Sequence, residues 1–473
     1  MSSAIERLPR IVAGSVLSVI LGLASTGMAR AQDVPVVPNV PQEDAYQLRG
    51  LPPQEAAQEA APAEEEGPQR YLETEFLKSR SISTYGWLNA GIGANAWGAP
   101  WNGPLTFNDR AWQGMMNQLY LVNERTLDTA DGGWDWGGRV DLLYGTDYIY
   151  TTARGLDAYT AGDPIGLGQP RWGSNKYYGL AMPQLYGELG YNDLAVKFGH
   201  FYTIIGYEVV PAIGNFFYTH AYCMQYGEPF THTGILTTWT PNDQVIFYNG
   251  ITNGWDNWDD GMGTFGPVGN PGYASAGSNA AYLGGVTFKN SDETQTLTVT
   301  TSSGNEVNNV VGLGPYAGNR SIISTVYVNE LSDKLTYVFQ NDNGWQFNAF
   351  GPGALAQWYG VNQYLFWNFT DTLIGGMRFE WFRDNDGYRV VNPLRNFLFG
   401  ETPYYGGYAG NFWALTWGLN YKPNANWIIR PELRYDWYNG QAGVDNNNNP
   451  ALPFGRGDKD SQFYGGCDII WLF

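Results

Sequence analysis

From Ser81 to Phe473 the chain is a succession of about sixteen short segments in which apolar and polar residues alternate one for one, separated by turn residues. Alternation places one set of side chains on each face of an extended strand. In "WIIRPELRYDWY", Trp427, Ile429, Pro431, Leu433, Tyr435 and Trp437 share one face, and Arg430, Glu432, Arg434 and Asp436 share the other. In "WDWGGRVDLLY", Trp134, Trp136, Val140, Leu142 and Tyr144 oppose Asp135, Arg139 and Asp141. In "TLIGGMRFEWF", Met377, Phe379 and Trp381 oppose Arg378 and Glu380. A soluble sheet with one wet face alternates too. The position of the aromatics decides between the two. Trp427 and Trp437 mark the two ends of one apolar face, and Trp134, Trp381, Trp413 and Trp471 fit the same girdle pattern. A lipid-facing band with interfacial girdles explains that placement; a buried core does not.

The connections point the same way. Short turns follow the even-numbered segments, marked by Asn192-Asp193, Pro241-Asn242, Ser291-Asp292, Ser332-Asp333, Thr370-Asp371 and Pro423-Asn424, with a somewhat longer "LDTADGG" after the second. A long Gly/Asn/Asp-rich loop is expected after every odd-numbered segment, as in residues 145–180, 253–279, 384–408 and 439–459. The pattern predicts an all-β fold, a transmembrane antiparallel β-barrel of about 16 strands (range 12–18), with short periplasmic turns and long external loops. A propeller would repeat a blade every ~40 residues, and no such repeat is visible.

The termini and composition set further bounds. Arg7 and Arg10, an apolar run and Ala29-Arg30-Ala31 read as a signal peptide over residues 1–31. Residues 32–78 are rich in Pro, Ala, Gln and Glu and read as a disordered periplasmic linker, leaving 79–473 for the outer-membrane barrel. A net charge of −19 argues against nucleic acid as a partner. Two cysteines make no disulfide framework. Parity puts Cys467 on the lipid face and Cys223 falls in a loop, so both are expected as free thiols.

The densest chemistry lies in residues 204–234, "IIGYEVVPAIGNFFYTHAYCMQYGEPFTHTG", which hold Glu208, His220, Cys223, Glu228 and His232. No nucleophile elbow or Ser/His arrangement accompanies the histidines, so an enzyme is not expected. His220-x-x-Cys223 is half a metal motif, without structural-zinc spacing, and no metal or cofactor is expected. Asp256, Asp259 and Asp260 lack EF-hand spacing; a solvated acidic loop is the default there, with calcium left open. His200 shares parity with Leu194, Val196, Phe198 and Tyr202 and is expected at the membrane interface, whereas Lys197 should face the lumen.

The run "VKFGHFYTIIGYEVVPAIGNFFYTHAYCMQYGEPFTHTGIL", with "YGWLNAGI" upstream and the terminal Phe473, resembles the OmpL-like β-barrel porin-2 family. The resemblance implies an outer-membrane porin passing small hydrophilic solutes by diffusion, and it carries no catalytic residue. By analogy with sixteen-stranded porins, residues 204–231 are the third long loop and fold inward. "NFFYTHAY" would cover apolar wall, with Glu208, His220 and Glu228 on the water path and His232 where the sixth strand begins. Expected partners are outer-membrane lipid, the solutes, the barrel-assembly machinery through the C-terminal strand, and two further copies in a homotrimer. The expected lumen charges are Arg139, Lys197, Arg378, Arg430 and Arg434 against Asp135, Asp141, Glu380, Glu432 and Asp436. With neither sign dominating the wall, a mild cation preference set at the acidic mouth is expected. The alternatives are a substrate-selective sugar or peptide channel, an outer-membrane hydrolase, or an exported glycan-binding β-protein.

Overall fold

The computed structural model describes residues 68–130, 132–159, 169–173, 177–258, 280–310, 314–392 and 405–473. The expected signal peptide, linker residues 32–67, Asp259 and Asp260 lie outside them. Sixteen antiparallel strands pair in chain order and close into a barrel. They are β1 (Ser83–Asn95), β2 (Gln113–Arg125), β3 (Trp134–Gly145), β4 (Gly179–Tyr191), β5 (Leu194–Tyr202), β6 (Thr231–Asn242), β7 (Val245–Thr252) and β8 (Ala281–Lys289). The second half comprises β9 (Gln295–Val310), β10 (Gly314–Ser332), β11 (Leu335–Phe347), β12 (Leu355–Thr370), β13 (Leu373–Asp384), β14 (Gly410–Asn424), β15 (Trp427–Gly440) and β16 (Ser461–Leu472). β16 closes on β1 from Trp87↔Leu472 to Asn95↔Tyr464, and Gly86 and Phe473 exchange both backbone hydrogen bonds at 2.9 Å. Closure leaves no strand edge without a partner, the condition for a sheet in lipid.

Tight turns join β4 to β5, β6 to β7, β10 to β11, β12 to β13 and β14 to β15. Long connections follow most odd-numbered strands, but not all. β9 runs to Val310, which pairs with Gly314 at the start of β10, so no long loop separates this pair. The polar "SSGNEVNNV" reads as loop by composition, yet its backbone continues the ladder; pairing with the neighbouring strand overrides local preference. The segment before β1 also carries structure inside the expected linker. A four-residue helix, α1 (Glu75–Lys78), is capped by Thr74, and Gln69 and Asn426 exchange hydrogen bonds.

Outward side chains are apolar and exposed around the ring, including Leu189, Phe198, Ile235, Ile323, Met377, Trp417, Leu433 and Ile469, with Ile251 68% exposed. The six tryptophans fall at opposite rims. Trp381, Trp413 and Trp437 stand together at the long-loop end, the last two stacked at 6.0 Å and 4°. Trp427 stacks on Trp471 at the short-turn end, and Trp134 (77% exposed) begins β3 there. From Trp427 to Trp437 a strand climbs ~33 Å, or about 25 Å once tilted by ~40°, the height of an outer-membrane apolar band.

At the long-loop end of β5 the alternation fails. His200, Phe201 and Tyr202 are all buried, beyond Gly199 with φ 128°. His200 is therefore not the exposed interfacial residue its parity suggested. Its Nδ1 lies 2.8 Å from Thr233 Oγ1, and Trp258 packs edge-on against its ring. The ladder runs through Gly199 without a register shift, and His200 is covered by Trp258 from another loop, a contact that no period within β5 reveals.

Candidate functional site

Residues 203–230 join β5 to β6 and run inside the barrel, with two short helical turns at Ala212–Gly214 and Cys223–Gly227. Gly206 turns the chain inward with φ 85°, where a Cβ would overlap the Glu228 carboxylate. An irregular backbone this far from water needs partners for its N–H and C=O groups. The wall supplies them from charged side chains. Arg430 Nη1 donates to the carbonyls of Ala212 (2.9 Å) and Asn215 (2.6 Å). Arg378 Nη1 donates to the Thr219 carbonyl (2.7 Å), and Arg434 Nη1 to that of His220 (3.1 Å). Glu432 accepts the N–H groups of Tyr218 (2.8 Å) and Thr219 (3.1 Å), and Glu380 accepts that of Tyr222 (2.8 Å).

The wall charges also pair with one another. Arg378 binds Glu380 at 2.7 Å, and Arg434 binds Asp436 at 2.8 Å and Glu380 at 2.9 Å; Arg430 binds Asp468. All of these face inward, but toward the loop and each other. Arg378, Glu380, Arg434 and Asp436 are 0% exposed. The remaining residues expected in the lumen form separate pairs: Arg139 with Asp141 (2.7 Å) and Glu124 (2.9 Å), Lys197 with Glu188 (3.1 Å), and Asp135 with Arg125 (2.9 Å) beside the turn after β2.

Glu208 is the loop's own hub. It accepts from Arg378 Nη1 (2.8 Å), Tyr364 Oη (3.1 Å) and the Ala221 N–H (2.8 Å), with His220 Nδ1 at 3.3 Å. Burial raises its carboxyl pKa, but the Arg378 guanidinium and the bonds from His220 and Ala221 outweigh it and bring the value to about 2. Glu228 and Asp342 both accept from the Gln340 amide, at 2.5 and 2.8 Å. His232 ties two loops to the wall, with Nε2 3.0 Å from Thr203 Oγ1 and Nδ1 3.0 Å from the Gly254 carbonyl. Glu208 and His220 thus meet, while Glu228 acts elsewhere on the loop and His232 at the start of β6. Asp256 holds the loop's last turn, accepting from the N–H groups of Phe230 and Thr231 at 2.9 Å each. Among the described residues no three His, Cys, Asp or Glu side chains are placed to hold a metal. Cys223 and Cys467 are both free.

The loop's side chains sit in sockets that sequence reasoning missed. A Cβ on Gly376 would stand 2.3 Å from the Phe216 ring, one on Gly418 3.1 Å from Phe217, and one on Gly91 2.6 Å from Tyr218. Gly360 likewise faces the Cys223 Sγ at 2.5 Å. Glycine inside a strand marks a close approach, and Gly91, Gly360, Gly376 and Gly418 at inward parity are the signal that could have found this. Gln118 and Asn117 on β2 were missed as well. Gln118 donates to the Val210 carbonyl (2.8 Å) and accepts the Ala212 N–H (3.0 Å), and Asn117 accepts the Tyr218 hydroxyl (2.9 Å).

The fold has solved counterparts at low identity. An anion-selective porin from Comamonas acidovorans matches with a TM-score of 0.51 and 10% identity, over 83% of this chain and 99% of that one. OprB from Pseudomonas putida, in its high-pH structure, matches with a TM-score of 0.51 and 11% identity, over 86% and 99%. No curated protein sequence matches. A family model described as "Putative beta-barrel porin-2, OmpL-like" covers residues 81–473, the whole barrel and its inward loop, and the chain belongs to that family.

Proposed function

We propose that the protein is an outer-membrane channel through which small hydrophilic solutes diffuse passively, narrowed by the third loop. The observation that carries this reading is the anchoring of residues 212–222 across the lumen by Arg378, Glu380, Arg430, Glu432 and Arg434. A loop tied at this many points, with its rings seated in glycine sockets, is a fixed constriction and not a swinging gate. The lumen charges serve first as anchors, so selectivity is set where polar groups still border open space. The exposed apolar ring between two tryptophan belts supports insertion in lipid over an exported glycan-binding protein. Residues 1–31 and 32–67 fit export and a periplasmic tether, the C-terminal strand fits recognition by the assembly machinery, and a homotrimer fits the fold.

Swelling of proteoliposomes in sugars of graded size tests the reading. A monosaccharide should enter and a tetrasaccharide should not. Entry of neither, with the barrel folded, would remove diffusion of small solutes as the function.

A further inference from the structure

The chain enters the barrel along the short-turn rim, beside the seam where β16 closes on β1. Gln69 and Asn426 exchange hydrogen bonds at 3.3 and 3.2 Å, and Asn426, in the turn between β14 and β15, also donates to the Leu472 carbonyl at 2.8 Å. The next two residues straddle the wall. The Arg70 guanidinium lies 4.7 Å from the ring centroid of Tyr85, a buried residue of β1, whereas the Tyr71 ring tilts against Trp471 of the outward girdle at 6.3 Å. α1 follows, and Ser81, with φ 56°, turns the chain into β1.

This segment keeps its large apolar side chains outside. Phe76 is 64% exposed, Tyr71 60% and Leu72 39%, and α1 buries none of its residues. A helix this short is marginal in water without packing. Exposure of that size matches wall residues that face lipid, and the contact of Tyr71 with Trp471 makes the segment continuous with the girdle. Aromatic rings gather at headgroup level because one end is apolar and the other tolerates water. The charges are sorted to suit. Arg70 and Lys78 occupy Glu73, and Lys78 also meets Glu75. Arg80 is exposed; its guanidinium donates to the Phe76 carbonyl (3.1 Å) and lies 3.7 Å from the Phe76 ring centroid. A cation carried on an exposed ring can reach a lipid phosphate while the ring stays in the apolar layer.

We propose that residues 69–80 form an interfacial strap lying in the headgroup layer of the leaflet at the short-turn end, with Tyr71, Leu72 and Phe76 against the acyl chains and Arg80 on a phospholipid phosphate. The strap extends the aromatic girdle beside the closing seam and fixes the depth at which the chain passes from water into the wall. It requires insertion of the barrel in lipid but not conduction.

Spin labels test the strap in the full-length protein carrying Cys467→Ser, whose remaining Cys223 is buried, in vesicles of phosphatidylethanolamine and phosphatidylglycerol. A label at Phe76→Cys should give a ratio of oxygen to nickel-chelate collisions between those of labels at Leu433→Cys, on the lipid face, and Asn447→Cys, exposed in a long loop. Its nickel access should be several-fold below that at Asn447→Cys and should rise when Arg80→Glu is added. Equal nickel access at Phe76→Cys and Asn447→Cys, or no response to Arg80→Glu, overturns the proposal. Spin–spin broadening at Phe76→Cys overturns it too, by putting a second copy of the chain there in place of lipid. High nickel access at Leu433→Cys would overturn insertion of the barrel itself, and the strap with it.

Discussion

Arg378→Met removes the guanidinium that binds Glu208, the Thr219 carbonyl and the Thr219 hydroxyl, at 2.8, 2.7 and 3.1 Å. Methionine keeps the packing over the Phe217 ring, where the guanidinium carbon now lies 4.8 Å from the centroid. What it leaves behind is costly. Glu208 becomes a buried carboxylate without its cation, and the Thr219 carbonyl loses its donor. Breaking one side of a buried ion pair costs about 3–5 kcal/mol, which multiplies the undocked population of the loop by roughly 10² to 10⁴. Arg430, Arg434 and Glu432 still hold their stretches of backbone, so the loop should detach intermittently and locally. Single-channel recording should show a raised mean conductance and frequent brief openings. Adding Glu208→Gln should quiet the channel in part, because it removes the carboxylate left without its cation while Arg434 still has to serve both Glu380 and Asp436. Heat-modifiable migration establishes that each barrel is folded. Wild-type conductance and noise in a folded Arg378→Met channel would refute the anchoring argument.

Gly376→Leu drives a side chain into the Phe216 ring and should displace the loop at a cost of about 1–3 kcal/mol. It should read as raised conductance, whereas Gly465→Ala, whose nearest neighbour would be 3.5 Å away, should be silent. The Glu208 carboxyl is lowered from 4.5 to about 2, so its contribution to docking is complete above the ordinary value and is lost as pH falls toward 2. Current noise should therefore rise on acidification below about pH 4.5, and Glu208→Gln should remove that rise. Trp437→Ala breaks the stack with Trp413 at the long-loop rim, worth about 0.5–1.5 kcal/mol beyond its area. Its barrel should lose heat-resistant migration at a lower temperature.

Strand number and facing were legible because both follow from a two-residue period set against turn residues, and lipid demands that period in every strand. The exceptions have causes outside that period. Trp258, far along the chain, covers His200 at the end of β5, and the β9–β10 ladder ran through residues whose composition favours a loop. The loop's place between the fifth and sixth strands was legible, but the contact between Glu208 and His220 was not. Nor was the role of the wall charges. Arg378 and Glu208 are 170 residues apart, Arg434 and the His220 carbonyl 214, and no spacing rule links such positions. Parity says that Arg430, Arg434 and Glu380 point inward, but not whether water or a loop meets them there.

If the barrel conducts and residues 203–230 narrow it, removing most of that loop must widen the path. Single-channel conductance of the purified protein in a planar bilayer, compared with a variant in which residues 209–227 are replaced by a short Gly/Ser linker, tests it most directly. Small discrete steps are expected for the wild type and steps several-fold larger for the variant. Equal steps in two folded barrels would contradict it.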